Sequence, residues 1–202
     1  MNRQIAKDLL SIQAVQINPK SYFTWTSGIK SPIYCDNRLT ISYPNVRKNI
    51  IKGFIELIQQ QKLEIDVIAG CATAGIPHAA FLAEALNLPM VYVRSQKKSH
   101  GKESQIEGII KPGMRVLVIE DLISTGGSAI HAAKALEQEG ANIVSVFAIF
   151  SYNLKKAKEN FKQANLPYKT ITTFDDILEL LVQEQKLTEN EKEQLLSWRN
   201  SL

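Results

Sequence analysis

Arg115-Val-Leu-Val-Ile-Glu-Asp-Leu-Ile-Ser-Thr-Gly-Gly-Ser128 is the stretch on which the fold turns. Its opening, mostly β-branched or aliphatic, predicts a strand over Val116 to Ile119 that is buried on both faces, as in a parallel sheet. The polar residues that follow then emerge at the strand's carboxyl end, where open α/β sheets hold their ligands. Two acids, Glu120 and Asp121, stand at that exit. Ser124-Thr125-Gly126-Gly127-Ser128 comes next and opens onto a helical stretch, Ala129 to Glu139. A turn of hydroxyls and glycines at a helix start offers backbone N–H groups and the positive end of the helix dipole to an anion.

The two halves of this motif make opposite demands, which narrows the ligand. A nucleoside triphosphate loop would place a Lys after the second glycine, and none follows Gly126-Gly127. Two adjacent carboxylates upstream would also repel a polyphosphate chain. A sugar phosphate satisfies both halves, because carboxylates accept hydrogen bonds from neighbouring hydroxyls while the loop takes the phosphate.

Outward from this stretch, strands and helices alternate. Pro44 stands at a helix start, with Val46, Ile50, Ile51, Phe54, Ile55 and Ile58 at helical spacing. Val67 to Gly70 predicts a strand before a helix over Ile76 to Leu86. Met90 to Arg94 predicts a strand before a polar loop, and Ile143 to Phe150 a strand that closes the core. Alternation of this kind is the pattern of a parallel, doubly wound α/β sheet flanked by helices. Upstream, a helix is expected from about Arg3 to Val15. Two extended segments, Ser21 to Thr26 and Ser31 to Arg38, meet at the turn Ser27-Gly28 and form a small N-terminal lobe. Downstream, a lysine-rich helix, a strand over Tyr168 to Phe174 and helices near Asp175 and Thr188 complete the chain; Thr188 and Glu191 have capping-box spacing. With 202 residues, one domain is expected: an N-terminal lobe over about 1–40, an α/β core over about 41–150 and an α/β extension over about 151–202.

Composition excludes several classes. The chain is 45% hydrophobic and 22% charged, ordinary for a soluble globular protein, and no apolar run approaches membrane-spanning length. Met1 to Asp8 includes an acid and lacks a signal-peptide core, so the cytoplasm is the expected compartment. Cys35 and Cys71 have neither a disulfide framework nor metal-ligand spacing and read as reduced thiols. The net charge of +4 is spread over helix faces, as at Lys155, Lys156, Lys158 and Lys162, without the aromatic interleaving of a nucleic-acid binder. His78 and His131 lie in apolar helical patterns and read as core or surface residues, and Trp25 and Trp198 as packing residues.

The stretch Val116 to Ser128 resembles the 5-phosphoribosyl-1-pyrophosphate motif of the type I phosphoribosyltransferases. The resemblance implies that Glu120 and Asp121 face the ribose hydroxyls, with Asp121 catalytic, and that Leu122, Ile123, Ser124, Thr125, Gly126, Gly127 and Ser128 wrap the phosphoribosyl group. It implies magnesium, held through substrate and water rather than directly by the protein. Between Arg94 and Arg115 lies Ser95 to Gly108, a connection too long and polar to be a plain turn, and it is expected to be a lid with Gly101 and Gly108 as hinges. Its Lys97, Lys98, His100 and Lys102, with Arg94, suit a pyrophosphate that gains negative charge as it leaves.

This loop identifies the branch. Arg94, Lys98, His100 and Gly101 fall where orotate phosphoribosyltransferases carry their mobile catalytic loop, and Phe23 to Tyr34 is similar to the base-binding lobe of that branch. The resemblance implies transfer of a phosphoribosyl group to orotate, giving orotidine 5′-monophosphate and pyrophosphate in pyrimidine synthesis. It implies a homodimer that shares the loop across subunits, with neither nucleic acid nor membrane as partner. It gives Arg94, Lys98 and His100 to the pyrophosphate, with Lys98 and His100 catalytic and either one the proton donor. Ser124 would contact orotate, and backbone around Tyr34 and Cys35 would edge the base. Thr26 and Ala74 stand where many members have lysines, so cationic contacts to pyrophosphate are lost there; a third common lysine falls at Ser95, where Lys97 lies close enough to substitute. Thr73, in the turn Gly70 to Gly75, either offers backbone to the pyrophosphate or merely joins strand to helix. Two rivals share the acid motif: a purine phosphoribosyltransferase such as the xanthine enzyme, and a ligand-sensing regulator that has lost loop catalysis.

Overall fold

The structure is a computed structural model that describes residues 3–24, 28, 30–96 and 105–202. The chain opens with α1 (Arg3–Ser11), β1 (Val15–Ile17), β2 (Phe23–Thr24), β3 (Lys30–Ser31) and β4 (Ile33–Cys35), then a 3-10 turn (Asn37–Ser42) and α2 (Pro44–Gln60). The central elements are β5 (Val67–Cys71), α3 (Gly75–Leu86), β6 (Met90–Val93), β7 (Ile106–Glu107), β8 (Arg115–Ile123) and α4 (Gly127–Gln138). They are followed by β9 (Asn142–Ser151), α5 (Lys155–Gln163), β10 (Tyr168–Thr173), α6 (Phe174–Gln183) and α7 (Glu189–Asn200).

A six-stranded sheet with the order β10-β9-β8-β5-β6-β7 forms the centre, and all neighbours are parallel except β6 and β7. Alternate residues of each central strand feed opposite faces. Ile68, Leu117, Ile119, Phe147 and Ile149 join a core with helices α1, α2, α3 and α6. Val67, Ala69, Val116, Val118, Val146 and Ala148 join a second core under α4 and α5. Two buried faces explain why these strands read as continuous apolar runs. From β5 the chain builds outward to β6 on one side and then returns to β8 on the other. The strand order therefore reverses between β5 and β8, and at such a reversal the two carboxyl ends splay into a crevice.

Several expectations need correction. The first helix ends at Ser11, not Val15: Gln13 has a positive φ of 58°, and Val15–Ile17 turns away to pair antiparallel with Ile33–Cys35. That partner lies far along the chain, so local periodicity alone extended the helix. β2 is Phe23–Thr24 and pairs with Lys30–Ser31, but the rest of the expected partner does not follow, since Ile33–Cys35 pairs with β1 and Asn37 and Arg38 enter the 3-10 turn; Trp25, Thr26 and Ser27 lie outside the described residues. β8 runs through both acids to Ile123, because β9 continues beside it as far as Ser151. The strand expected over Tyr168 to Phe174 is β10, Tyr168–Thr173, and it extends the central sheet by a further parallel strand outside β9. The Thr188–Glu191 capping box is present, and a second one, Thr173 with Asp176, starts α6.

Candidate active site

The crevice between β5 and β8 is built tightly. A Cβ on Gly75 would lie 2.4 Å from the Ile119 carbonyl oxygen, so the turn after β5 packs directly on β8 only because that residue is glycine. The turn contains a cis peptide between Ala72 and Thr73. Across it stand the acids. Glu120 is only 6% exposed. Its Oε1 accepts from the Asp121 backbone N–H at 3.0 Å, and its Oε2 accepts from the Ser128 hydroxyl at 2.9 Å. The second bond ties the acid pair to the start of α4. Asp121 is half-buried. Burial and the neighbouring Asp121 push the Glu120 carboxyl above its ordinary range, and burial pushes Asp121 upward as well.

The loop from Ser124 to Gly126 leads into α4. Gly126 caps the helix with a φ of 82°, and no side chain among the described residues caps the first turn. That leaves N–H groups at the helix start for an anion. Helix α5 supports this loop from behind. Asn160 donates to the Thr125 carbonyl at 2.9 Å, and a Cβ on Gly126 would lie 2.5 Å from the Phe161 ring. Nothing in the lysine-rich pattern of α5 identified Phe161 and Asn160 as supports of the loop, because the contact spans more than thirty residues of sequence.

Antiparallel pairing of β6 with β7 flanks the expected lid on both sides. Arg94 donates its N–H to the Gln105 carbonyl at 2.8 Å, and Val93 pairs with Ile106. Gly108 therefore lies beyond the stem, and a Cβ there would meet Val91 Cγ1 at 2.9 Å, so it anchors the hairpin rather than hinging it. Lys97, Lys98, His100, Gly101 and Lys102 lie outside the described residues. The Gln105 amide is 3.2 Å from the Arg94 carbonyl and 2.9 Å from His131 Nε2. Donation to both leaves His131 protonated on Nδ1. A cavity of about 250 Å³ at the hairpin root is lined by Cys71, Arg94, Ser95, Ser128 and His131 among others. The Arg94 guanidinium lies 3.7 Å from Glu107.

In the N-terminal lobe, burial pushes the Cys35 thiol upward, and the charges of Asp121 and Asp36 raise it further. Cys71, at the end of β5, is raised by burial and by Glu120. Tyr34 is exposed and its ring centroid lies 6.0 Å from that of Phe23. Asn37, which the sequence reading placed in an extended segment, donates from Nδ2 to the Asp121 carbonyl at 2.7 Å. His78 is a core residue, as expected; burial lowers it to about 4. Trp198 packs against Phe174, with ring centroids 6.5 Å apart.

Comparison with known proteins gives this geometry a family. Residues 42–177 match the phosphoribosyl transferase domain. An orotate phosphoribosyltransferase from Oceanobacillus iheyensis is 62% identical over 202 residues, covering 100% of both chains. The chain belongs to the orotate phosphoribosyltransferase family. Another such relative, from Fusobacterium nucleatum, is 52% identical and covers 100% of this chain and 97% of its own. The crystal structure of orotate phosphoribosyltransferase from Aeropyrum pernix, 29% identical, superposes with a TM-score of 0.78 over 89% of this chain and 98% of its own. For an orotate phosphoribosyltransferase, the residues brought together are Arg94, Glu120, Asp121 and Ser124 to Ser128, all at the carboxyl edge of the sheet.

Proposed function

We propose that this chain transfers the 5-phosphoribosyl group of 5-phosphoribosyl-1-pyrophosphate to orotate, releasing pyrophosphate and forming orotidine 5′-monophosphate. The observation that carries the reading is the bond from Ser128 to Glu120, which fixes a sugar-hydroxyl acceptor and a helix-start phosphate site at one spacing. Asp121, the more accessible acid, accepts from a ribose hydroxyl, and Glu120 offers its remaining lone pairs to the other. Leu122 to Ser128 enclose the 5-phosphate, and Ser124 also meets the orotate.

Breaking the anomeric C–O bond places positive charge on the ribose ring and negative charge on the departing pyrophosphate. The acid pair lies where the first charge develops, and Arg94 with Lys98 and His100 of the loop neutralises the second. Lys98 or His100 also donates a proton to the leaving group. The donor set suits magnesium held by substrate oxygens and water, because Glu120 already accepts two hydrogen bonds and Asp121 is given to a ribose hydroxyl. When bound, magnesium supplies charge neutralisation to the pyrophosphate.

The chain works as one phosphoribosyltransferase domain, with a base-side lobe within about 1–40, a core over about 41–150 and an extension over about 151–202 that is continuous with that core, since β10 joins its sheet and α1 and α6 pack on it. It acts in the cytoplasm as a homodimer whose loops reach the neighbouring site, independently of nucleic acid and membrane. No helix among the described residues is long and apolar enough to cross a membrane. The test is base selection: the protein, phosphoribosyl pyrophosphate and magnesium are offered orotate, xanthine, adenine and uracil together, and nucleotides are identified by mass spectrometry. Orotidine 5′-monophosphate should dominate; a purine nucleotide as main product would move the chain to another branch.

A further inference from the structure

Beyond Ile119, β8 has lost its neighbour on one side. β5 pairs with it only from Val116 to Ile119, whereas β9 accompanies it to Ile123. The overhanging residues carry the acids, and a backbone carbonyl in so crowded a place needs a donor. Asn37 supplies one to Asp121, across 84 positions of sequence. The asparagine is held in turn. Thr40 donates its hydroxyl to the Asn37 carbonyl at 2.5 Å, and the Thr40 oxygen lies 3.4 Å from Nε2 of the buried His78. Since the Thr40 proton is committed to Asn37, His78 is the donor in that contact.

Stability alone does not explain this residue. Asn37 is 1% exposed, and its Oδ1 is buried with no hydrogen-bond partner among the described residues. Such an orphan acceptor has lost its hydration without recovering a hydrogen bond, a cost that an apolar side chain would avoid. What the asparagine has and a leucine lacks is the donor to Asp121.

We infer that Asn37 is a positioning residue for the ribose acids: its carboxamide, fixed in the base-side lobe, replaces the missing strand beside Asp121 and sets where that carboxylate is presented. The inference rests on the proposed reaction for its meaning, but the bond it concerns joins base side to ribose side whatever the base. Asn37 touches no reacting atom in this account; it acts through Asp121.

A double-mutant cycle separates this role from packing. Affinity for phosphoribosyl pyrophosphate with magnesium is measured by calorimetry for the wild type, Asn37→Leu, Asp121→Asn and the double variant, beside thermal melting and orotate turnover. Asn37→Leu, close in size but without a donor, should weaken binding by about 10-fold, in keeping with one lost hydrogen bond of about 1.4 kcal/mol. In the Asp121→Asn background the same change should cost less than about 2-fold. Asn37→Ser, whose hydroxyl is too short to reach, provides the comparison if the leucine variant does not fold, and should show the same coupling. Unchanged affinity in Asn37→Leu, or an equal loss in both backgrounds, overturns the inference. Should the wild type bind phosphoribosyl pyrophosphate yet consume no orotate, the proposed function fails while the cycle still decides the role of Asn37.

Discussion

Glu120 and Asp121 set like charges on consecutive residues of a strand that runs out among apolar neighbours, and the chemistry of the site begins with that conflict. Both carboxyls are raised by burial, and Glu120 is raised further by Asp121. A carboxyl whose folded value exceeds its unfolded one holds a proton that the unfolded chain has lost. Its stabilising contribution is therefore present at low pH and is lost as pH rises through the folded value. The wild type should lose melting temperature between about pH 5 and about pH 8 on this account, and Glu120→Gln should lose less of it over the same range. Parallel pH dependences in the two proteins would show that Glu120 does not hold its proton beyond the ordinary range. The strand, the acid pair at its carboxyl end and the glycine turn into a helix were legible in the sequence, because strand, acids and glycines are contiguous. The burial of Glu120 was not legible, since it depends on Ser128 and on β9 rather than on its own neighbours.

Among the elements, the turn from Ser124 to Gly126 is a joint between β8 and α4 with α5 behind it. Gly126→Ala meets two obstacles: a φ of 82° and the Phe161 ring 2.5 Å from the new Cβ. The substitution should destabilise the protein by about 1–3 kcal/mol in urea unfolding. It should also weaken phosphoribosyl pyrophosphate binding more than a substitution of equal stability cost on the far side of α5. Equal binding losses from the two would mean that the loop's shape is unrelated to the ligand. The glycines announced a turn, yet the reason Gly126 must be glycine lies in α5, which composition marks only as a charged helix. The same limit governed α1, whose apolar pattern runs past Ser11 into a strand that forms only because β4 is available. Elements buried on both faces, such as β5 and β8, and helices with capping boxes, such as α7, were the most readable because their signals are local.

The proposed sharing of the loop between two subunits carries a quantitative expectation. If Lys98 of one subunit completes the site that holds Asp121 of the other, Lys98→Ala and Asp121→Asn homodimers should both be nearly inactive. A hybrid concentrates both defects in one site and leaves the other intact. Random remixing makes about half the dimers hybrids, so about a quarter of wild-type activity should return. Parental activity after subunit exchange has been verified by mass spectrometry would place Lys98 in its own subunit's site or in none. The arrangement of the sheet around a switch point followed from the alternation of elements in the sequence, whereas its outer edge did not. β10 joins as a sixth strand through pairing that its Thr-rich sequence does not advertise.

If the acid pair beside the α4 loop serves phosphoribosyl transfer to orotate, the loss of orotate absorbance on adding phosphoribosyl pyrophosphate and magnesium reads that role directly. Measured on the wild type and on Asp121→Asn, with thermal melting on both, the rate should fall by on the order of 100-fold in the variant while its melting temperature is unchanged or higher. Orotate consumption at the wild-type rate by a folded Asp121→Asn protein would contradict the account, as would a wild type that leaves the orotate absorbance unchanged.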